Sequence, residues 1–263
     1  MDHQEGTKLY IDYGKCTHDG GKNENQDSLD AYLDDNRDLY CFAIADGLGT
    51  YRRGSKAATL AVASILGCLS GIESKPPGRW LHDAFHDAHH LLKDQNRVDP
   101  SLGKMKTTCS VVVLIQGKAY WASVGDSRIY VLRAGRILHR TKDHSVVQVL
   151  LDMGEIKPSE VRDHPDRNRV IRVLGMDEEM KPVVHSDGLT LQPGDCLLLC
   201  TDGFWSCIDD DSIAAFIAAH HHMKAQAALD ALFQDILSGA VEKGYGKYHD
   251  NLSAQLVFIR ESA

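Results

Sequence analysis

The stretch LYCFAIADGLG, residues 39–49, is an apolar run that ends in an aspartate and a glycine. Apolar runs of this length, bounded by glycine and aspartate, are typical of buried strands. The same pattern returns in AYWASVGDSR (119–128), which contains Asp126, and in CLLLCTDG (196–203), which contains Asp202. A carboxylate at the end of a buried strand is costly to desolvate unless something compensates its charge.

Two further aspartates extend the pattern. Asp250 precedes the apolar run of DNLSAQLVFI (250–259), and Asp27 lies in KNENQDS (22–28). A turn is the simplest explanation of any single Asp-Gly pair, because both residues suit turn geometry. Repetition of the pattern in distant parts of the chain instead favours convergence of the carboxylates on a metal site. Ligands that are all oxygen atoms favour Mg²⁺, Mn²⁺ or Ca²⁺ over zinc.

Composition narrows the class of protein. The 263 residues suffice for one large domain or two small ones, and a net charge of -8 does not suit a nucleic-acid binder. We find no apolar stretch that approaches the roughly 20 residues needed to span a bilayer, and the N-terminus lacks an apolar signal region. We therefore expect no membrane partner. Seven scattered cysteines without a CxxC motif predict packed thiols in a reducing cytoplasm.

Hydrophobic periodicity predicts a layered α+β domain, in which helices cover two stacked sheets. The tight turns at 116–118 and 125–127 predict that the strands they join are antiparallel neighbours. Strands are expected at 8–13, 39–45, 108–115, 119–124, 129–133, 197–201 and 252–259. Helices are expected at 54–69, 80–92, 146–153, 211–219 and 225–241.

Several motifs carry a family resemblance. They are, in chain order, NENQDS (23–28), ADGLG (45–49), VGDSRIYVLRAG (124–135), RTKDHS (140–145), LLLCTDG (197–203) and DNLSAQLV (250–257). Together they resemble the metal-dependent Ser/Thr protein phosphatases (PPM, type 2C) in their short bacterial form. The resemblance covers nearly the whole chain. It implies one catalytic domain over 1–263, folded as a four-layer αββα sandwich of two antiparallel β-sheets flanked by helix pairs, with a flap segment at 154–169.

The resemblance also implies roles for particular residues. Two Mn²⁺ or Mg²⁺ ions would be held by Asp46 as the bridging ligand, by the Gly47 carbonyl on the second ion, and by Asp202 and Asp250 on the first. Asp126 would join Asp202 in binding a third, weaker ion. Water activated by these ions is the implied nucleophile, so no covalent phospho-enzyme is expected.

The resemblance also assigns a role to Asp27, and the sequence departs from the family pattern at three positions. Asp27 is expected to hydrogen-bond a metal-bound water. Lys22 stands where the family usually has an arginine, and it can hold phosphate only as a point charge. Leu48 in DGLGT cannot donate a proton to the leaving group, and Lys106 replaces a usual glycine.

Other polar groups have simpler explanations. His82, His86 and His90 have the i, i+4 spacing that zinc sites use, but a solvated helix face explains them better. Arg162, Arg167 and Arg169 of the flap segment are expected either to meet a phosphopeptide or to form a solvated loop.

The expected function is hydrolysis of phosphoserine and phosphothreonine in proteins phosphorylated by a Ser/Thr kinase. One alternative is a pseudophosphatase, that is, a phosphoprotein-binding regulatory module on the same fold. Lys22 motivates this alternative, whereas the presence of all five aspartates argues against it. The other alternative is hydrolysis of a small phosphate ester or nucleotide, for which the sequence offers no nucleotide-binding glycine loop.

Overall fold

The computed structural model describes residues 9–49, 51–98, 104–239 and 250–261. The strands in these residues form two antiparallel sheets. In chain order they are β1 (Leu9–His18), β2 (Asp27–Asp34), β3 (Leu39–Leu48), β4 (Lys106–Thr107), β5 (Cys109–Ile115), β6 (Lys118–Val124), β7 (Arg128–Arg133), β8 (Arg136–Arg140), β9 (Val183–Thr190), β10 (Cys196–Cys200) and β11 (Leu252–Glu261). The first sheet has the order β1-β11-β10-β7-β8. The second has the order β2-β3-β5-β6-β9, with β4 paired to the end of β3.

Helices cover the outer face of each sheet. They are α1 (Tyr51–Gly67), α2 (Pro77–Val98), α3 (Val146–Asp152), α4 (Asp202–Trp205), α5 (Asp210–His220) and α6 (Ala225–Leu237). Helices α1 and α2 share one apolar core with β3 and β5 of the second sheet. Helices α4, α5 and α6 share another with β10 and β11 of the first sheet. The expected four-layer αββα sandwich is confirmed.

Strand β3 shows how the sequence divides its residues between layers. Leu39, Cys41, Ala43 and Ala45 pack toward the helices. Tyr40, Phe42 and Ile44 pack in a third core between the two sheets, the inter-sheet layer. Because side chains alternate along a strand, Asp46 falls on the inter-sheet face, at its end.

One predicted connection is wrong. Strands β5 and β6 are antiparallel neighbours as expected, but β6 and β7 belong to different sheets. The chain crosses between the sheets at Gly125, Asp126 and Ser127. Gly125 has φ +100, and a Cβ there would lie 2.5 Å from the Cβ of Thr108. This corner brings Asp126 to the end of the inter-sheet layer.

The sequence analysis missed three longer strands, and all three lie at sheet edges. They are β2, β8 and β9. An edge strand is partly exposed, so its sequence carries charges and a weak apolar alternation, as in DSLDAYLD of β2. The predicted helix 225–241 ends at Leu237, and residues 240 and 241 lie outside the described part of the chain.

One helical segment corrects the expectation about membrane spans. Arg52–Ser74, 23 residues, is long and apolar enough to cross a membrane by length and composition. In the fold its residues Ala57, Ala61 and Ile65 are fully buried in the core shared with the second sheet. The segment is therefore packed like the core helix of a globular protein.

The first and last strands are neighbours. Strand β1 pairs with β11 over ten positions, from Leu9 opposite Glu261 to His18 opposite Leu252. Strand β11 lies between β1 and β10, so the last described strand is an interior strand of the first sheet.

Candidate active site

Five aspartates, called here the acidic site, meet at one end of the inter-sheet layer. Asp27 begins β2 directly opposite Asp46 in β3. Asp202 is the first residue of α4, immediately after β10, and Asp250 lies two residues before β11. The fifth, Asp126, lies at the corner between β6 and β7.

A threonine links the two sheets at this end. Thr201 Oγ1 donates to Asp27 Oδ2 at 2.9 Å, and Ser253 N donates to Thr201 Oγ1 at 3.1 Å. Because Thr201 and Ser253 belong to neighbouring strand ends of the first sheet, this contact holds Asp27 of the second sheet close to Asp202 and Asp250.

The two Asp-Gly pairs are sites of close backbone approach. Gly47 lies within β3 and Gly203 within α4, and neither has a positive φ. A Cβ on Gly47 would lie 2.0 Å from the Gly54 carbonyl oxygen, and one on Gly203 would lie 2.1 Å from that of Asn251. The turn explanation is therefore wrong for both pairs: the glycines let neighbouring elements approach the aspartates.

The threonines after Lys106 fix the main chain at Asp46. Asp46 N donates to Thr108 Oγ1 at 2.9 Å, and Thr108 N donates to Asp46 O at 2.9 Å. Thr107 Oγ1 donates to the same carbonyl oxygen at 2.8 Å. Thr108 Oγ1 also shares a 2.7 Å hydrogen bond with Ser127 Oγ, so one residue orients both Asp46 and the corner that carries Asp126.

Trp205 holds the main chain of Asp126. Its Nε1 donates to Asp126 O at 2.8 Å, and the Arg128 guanidinium carbon lies 3.6 Å from the centroid of its ring. Arg128 in turn forms two hydrogen bonds with Asp143, at 2.9 and 2.7 Å. The corner is fixed on its other side by His144, whose Nδ1 accepts from Gly125 N at 3.1 Å. Sequence reasoning gave Trp205 no role, since a tryptophan after TDG is indistinguishable from an ordinary core residue.

Asn251 fixes the loop that precedes β2. Its Oδ1 accepts from Gln26 N at 3.0 Å, and its Nδ2 donates to the carbonyl oxygens of Asp19 and Glu24 at 2.8 and 3.1 Å. Gly20 completes the contact, because a Cβ there would lie 1.8 Å from the Asp250 carbonyl oxygen. Asn251 thus fixes the position of this loop through three side-chain hydrogen bonds.

Lys22 lies in that loop and reaches the acidic site. Its Nζ forms an ion pair with Asp250 Oδ1. Partial burial lowers the pKa of Lys22, but the hydrogen bond to Asp250 and the nearby charges of Asp202 and Asp46 outweigh burial and raise it. Lys22 is thus held protonated beside the carboxylates.

The carboxylates of the acidic site disfavour one another's charge. Burial, followed by the neighbouring Asp202, raises the pKa of both Asp46 and Asp126 well above the ordinary range. Burial raises the pKa of Asp27 to about 7, with Asp202 adding to it. Burial and then Asp250 raise the pKa of Asp202 to about 6. Such a cluster needs protons or cations to compensate it.

The donor set fits a hard divalent cation. Both carboxylate oxygens of Asp126 and Oδ1 of Asp27 are buried without a hydrogen-bond partner, and buried orphan oxygens of this kind are costly. In residues 9–49, 51–98, 104–239 and 250–261, no three His, Cys, Asp or Glu side chains are already arranged around a common metal position.

Neither of the other sequence candidates forms a second site. His82 and His86 have ring centroids 4.4 Å apart and His86 and His90 6.4 Å apart, along one helix face on which His82 and His86 are half-buried and His90 is exposed. In the flap segment, Arg169 pairs with Asp166 at 3.0 Å and Arg167 donates to a backbone carbonyl. Arg162 instead lines a cleft of about 370 Å³ beside Trp205 and Arg128.

Comparison with known proteins adds three findings. A profile of the family Protein phosphatase 2C matches residues 16–238. A putative protein phosphatase 2C-type of Streptococcus pyogenes serotype M6 is 27% identical over 244 residues, which cover 90% of this chain and 92% of that protein. The serine/threonine protein phosphatase PstP of Mycobacterium tuberculosis is 32% identical over 175 residues, which cover 65% of this chain but 33% of PstP.

The fold of the PstP catalytic domain is also similar. That domain was solved in complex with two manganese ions, and it superposes with a TM-score of 0.76 at 24% identity, covering 97% of this chain and all of that one. The likeness at this identity concerns the fold. With the profile match spanning most of the sequence, and the motif order and αββα architecture in agreement, this chain belongs to the protein phosphatase 2C family.

Proposed function

We propose that this chain is a metal-dependent protein serine/threonine phosphatase. The observation that carries the proposal is the acidic site itself. At one end of the inter-sheet layer, burial and the neighbouring Asp202 raise the pKa of Asp46 and Asp126, and burial and Asp250 raise that of Asp202. Buried oxygens of Asp126 and Asp27 there have no hydrogen-bond partner. A bound divalent cation would compensate both the repulsion among the carboxylates and the missing hydrogen-bond partners of their oxygens. The manganese ions in the PstP domain support the same conclusion.

The residues that would hold the ions are proposed from the family resemblance. Asp46, with the Gly47 carbonyl beside it, would face both ions; Asp202 and Asp250 would complete the first, and Asp126 with Asp202 would hold a third. The donor set suits Mn²⁺ or Mg²⁺. When bound, such ions lower the pKa of a water and neutralise charge on phosphoryl oxygens.

The chain's own groups bind the phosphate and orient water. Lys22, protonated at the edge of the acidic site, is placed to hold a phosphoryl oxygen by charge. Asp27, fixed by Thr201 through one oxygen, presents its unpartnered Oδ1 as an acceptor for a water O–H. A thiol nucleophile is not required: burial raises the pKa of Cys200, the cysteine nearest in sequence to Asp202, far above its usual range, and raises that of Cys207 to about 11.

The substrates in this proposal are proteins carrying phosphoserine or phosphothreonine made by a Ser/Thr kinase. The whole chain forms one catalytic domain. All seven cysteines are free thiols, which suits a reducing compartment such as the cytoplasm. The flap segment, 154–169, contributes to substrate choice through Arg162 beside Trp205. If deletion of the segment left the ranking of phosphopeptide substrates unchanged, this role for the flap would be wrong.

The test of the activity is hydrolysis of p-nitrophenyl phosphate and of a phosphothreonine peptide. Wild type, Asp202→Ala and the control Asp211→Ala, an exposed aspartate of α5, are compared with Mn²⁺ and with chelator. We expect metal-dependent activity in wild type and the control, and loss of activity in Asp202→Ala. A folded wild type that stays inactive in saturating Mn²⁺ would instead support a phosphoprotein-binding module.

A further inference from the structure

A second cleft, the α1 cleft, adjoins the acidic site. It has a volume of about 380 Å³. One wall is the loop that carries Glu24 and Asn25, and the other is the start of α1, with Arg52, Ser55, Lys56 and Thr59. No step of the proposed phosphate hydrolysis uses these residues.

The cleft has an excess of positive charge in an acidic protein. Arg52 and Lys56 are exposed and four residues apart, so they share one face of α1. Neither has an acidic partner within 4 Å among the residues that the structure describes, whereas other cations, such as Arg37 with Glu73 and Arg133 with Asp195, are paired. Glu24 is the one acidic residue in the lining. Two cations against one anion leave the cleft suited to an anionic group.

The α1 cleft and the acidic site share their walls. The Glu24–Asn25 loop connects Lys22 to Asp27, and Asn251, next to Asp250, holds the Glu24 carbonyl at 3.1 Å. On the other side, Gly54 in the first turn of α1 packs against Gly47, since a Cβ on Gly54 would lie 2.7 Å from the Gly47 carbonyl oxygen. A peptide whose phosphate enters the acidic site can therefore reach Arg52 and Lys56 with a neighbouring side chain.

We infer that the α1 cleft binds a second anionic group of the phosphoprotein substrate, either an acidic side chain or a further phosphate near the one that is hydrolysed. This inference rests on the proposed phosphatase function and adds a substrate class to it. The Arg52 guanidinium can hold a carboxylate or a phosphate through two parallel hydrogen bonds, and Lys56 adds a point charge. The cleft thus selects substrates with clustered negative charge.

The experiment compares three phosphothreonine peptides that differ in flanking residues: neutral, aspartate-containing, or carrying a second phosphoserine, placed on either side. Loss of phosphate from the shared phosphothreonine gives kcat/KM for each. In wild type we expect the anionic peptides to be preferred. In the double variant Arg52→Gln/Lys56→Gln, that preference should fall by about threefold to tenfold, the effect of losing two exposed charge pairs. If kcat/KM exceeds that of the neutral peptide for both the aspartate and the phosphoserine peptides, the cleft is a general anion site. If it does so for the phosphoserine peptide alone, the cleft is a phosphate site.

Two further variants sharpen the test. Glu24→Gln removes the opposing charge and should increase the preference, whereas Lys118→Gln, an exposed cation at the far end of β6, should leave it unchanged. Hydrolysis of p-nitrophenyl phosphate should be the same in all of them. An unchanged preference in the double variant, or an equal loss on the neutral peptide, would overturn the inference. A wild type inactive on p-nitrophenyl phosphate would overturn the proposed function itself.

Discussion

At the scale of single residues, the glycines beside Asp46 and Asp202 are important because they have no Cβ atom. Because a Cβ on Gly203 would lie 2.1 Å from the Asn251 carbonyl oxygen, Gly203→Ala must push α4 away from the start of β11. We expect a loss of about 1–3 kcal/mol in the free energy of unfolding, measured by urea titration, with loss of activity. The matched control is Gly67→Ala at the end of α1, where a Cβ meets nothing within 4 Å. Equal stabilities of the two variants would contradict the close-approach argument.

Lys22 stands at one of the three positions where the sequence departs from the family pattern. Lys22→Arg should lower KM for a phosphothreonine peptide, because a planar fork with two hydrogen bonds replaces a point charge. Lys22→Ala should raise KM by on the order of tenfold, about 1.4 kcal/mol. Steady-state kinetics on the peptide provide the measurement. If KM stays the same in both variants, Lys22 does not contact phosphate and serves only as the partner of Asp250.

At the scale of elements, the four-residue helix α4 supplies Asp202 and also supports Asp126. Trp205→Phe removes the hydrogen bond to Asp126 O but keeps a ring beneath Arg128. One hydrogen bond contributes about 1 kcal/mol, so the Mn²⁺ concentration for half-maximal activity should rise by roughly fivefold. The control is Trp80→Phe in α2, where the same kind of hydrogen bond, to Cys68 O at 3.0 Å, is lost far from the site. A similar shift in both variants would show that Trp205 acts only through general stability.

The strands that could be predicted most closely from the sequence are the central ones, which are buried on both faces. Of the edge strands only β1 is predicted, at 8–13 against Leu9–His18. The central strands β3, β5, β10 and β11 read as apolar runs, and their bounds agree with the structure within a few residues. Edge strands such as β9 could not be found, because partial exposure permits charges there. The corner at Gly125 could not be told from a hairpin turn either, since three residues of turn type serve both geometries. The feature that distinguishes this corner from a hairpin turn is the close approach of Gly125 to Thr108, which is distant in sequence.

The same limit applies to the site. The aspartates could be found because each is joined to a buried strand or to a family motif. Asn251 lies in a motif of the family, but its hydrogen bonds to the main chain, like those of Thr108 and Trp205, leave no pattern in the sequence. Only the assembled sheets show those bonds.

At the scale of the whole molecule, the acidic site opposes folding unless it is compensated. The pKa of Asp202 is about 6 in the fold and near 3.8 without it. Between these values Asp202 holds more protons in the folded chain than in the unfolded chain, so it makes the stability of metal-free protein fall as pH rises from about 4 to about 6. Asp27, whose pKa is about 7, extends the fall to about pH 7.

Asp202→Asn should remove the part of this loss of stability that comes from Asp202. Without metal at pH 7.5, the variant should be more stable than wild type by about 1–3 kcal/mol, and at pH 4 the difference should vanish. Thermal melts in chelator over this pH range provide the measurement. Mn²⁺ should then raise the Tm of wild type much more than that of the variant. His89, whose pKa burial lowers to about 4, has the opposite pH dependence, but it is common to both proteins and cancels in the comparison. A variant less stable than wild type at pH 7.5 in chelator would contradict the electrostatic account.

The ten-position pairing of β1 with β11 has a consequence for synthesis on the ribosome. The first strand to emerge cannot find its partner until residues 252–261 have been translated, and Asp250 arrives only just before them. The first sheet therefore closes late, after a long-range contact that is slow to form. A nascent chain stalled before Leu252 would lack the strand between β1 and β10, so the acidic site would be complete only after β11 has been translated.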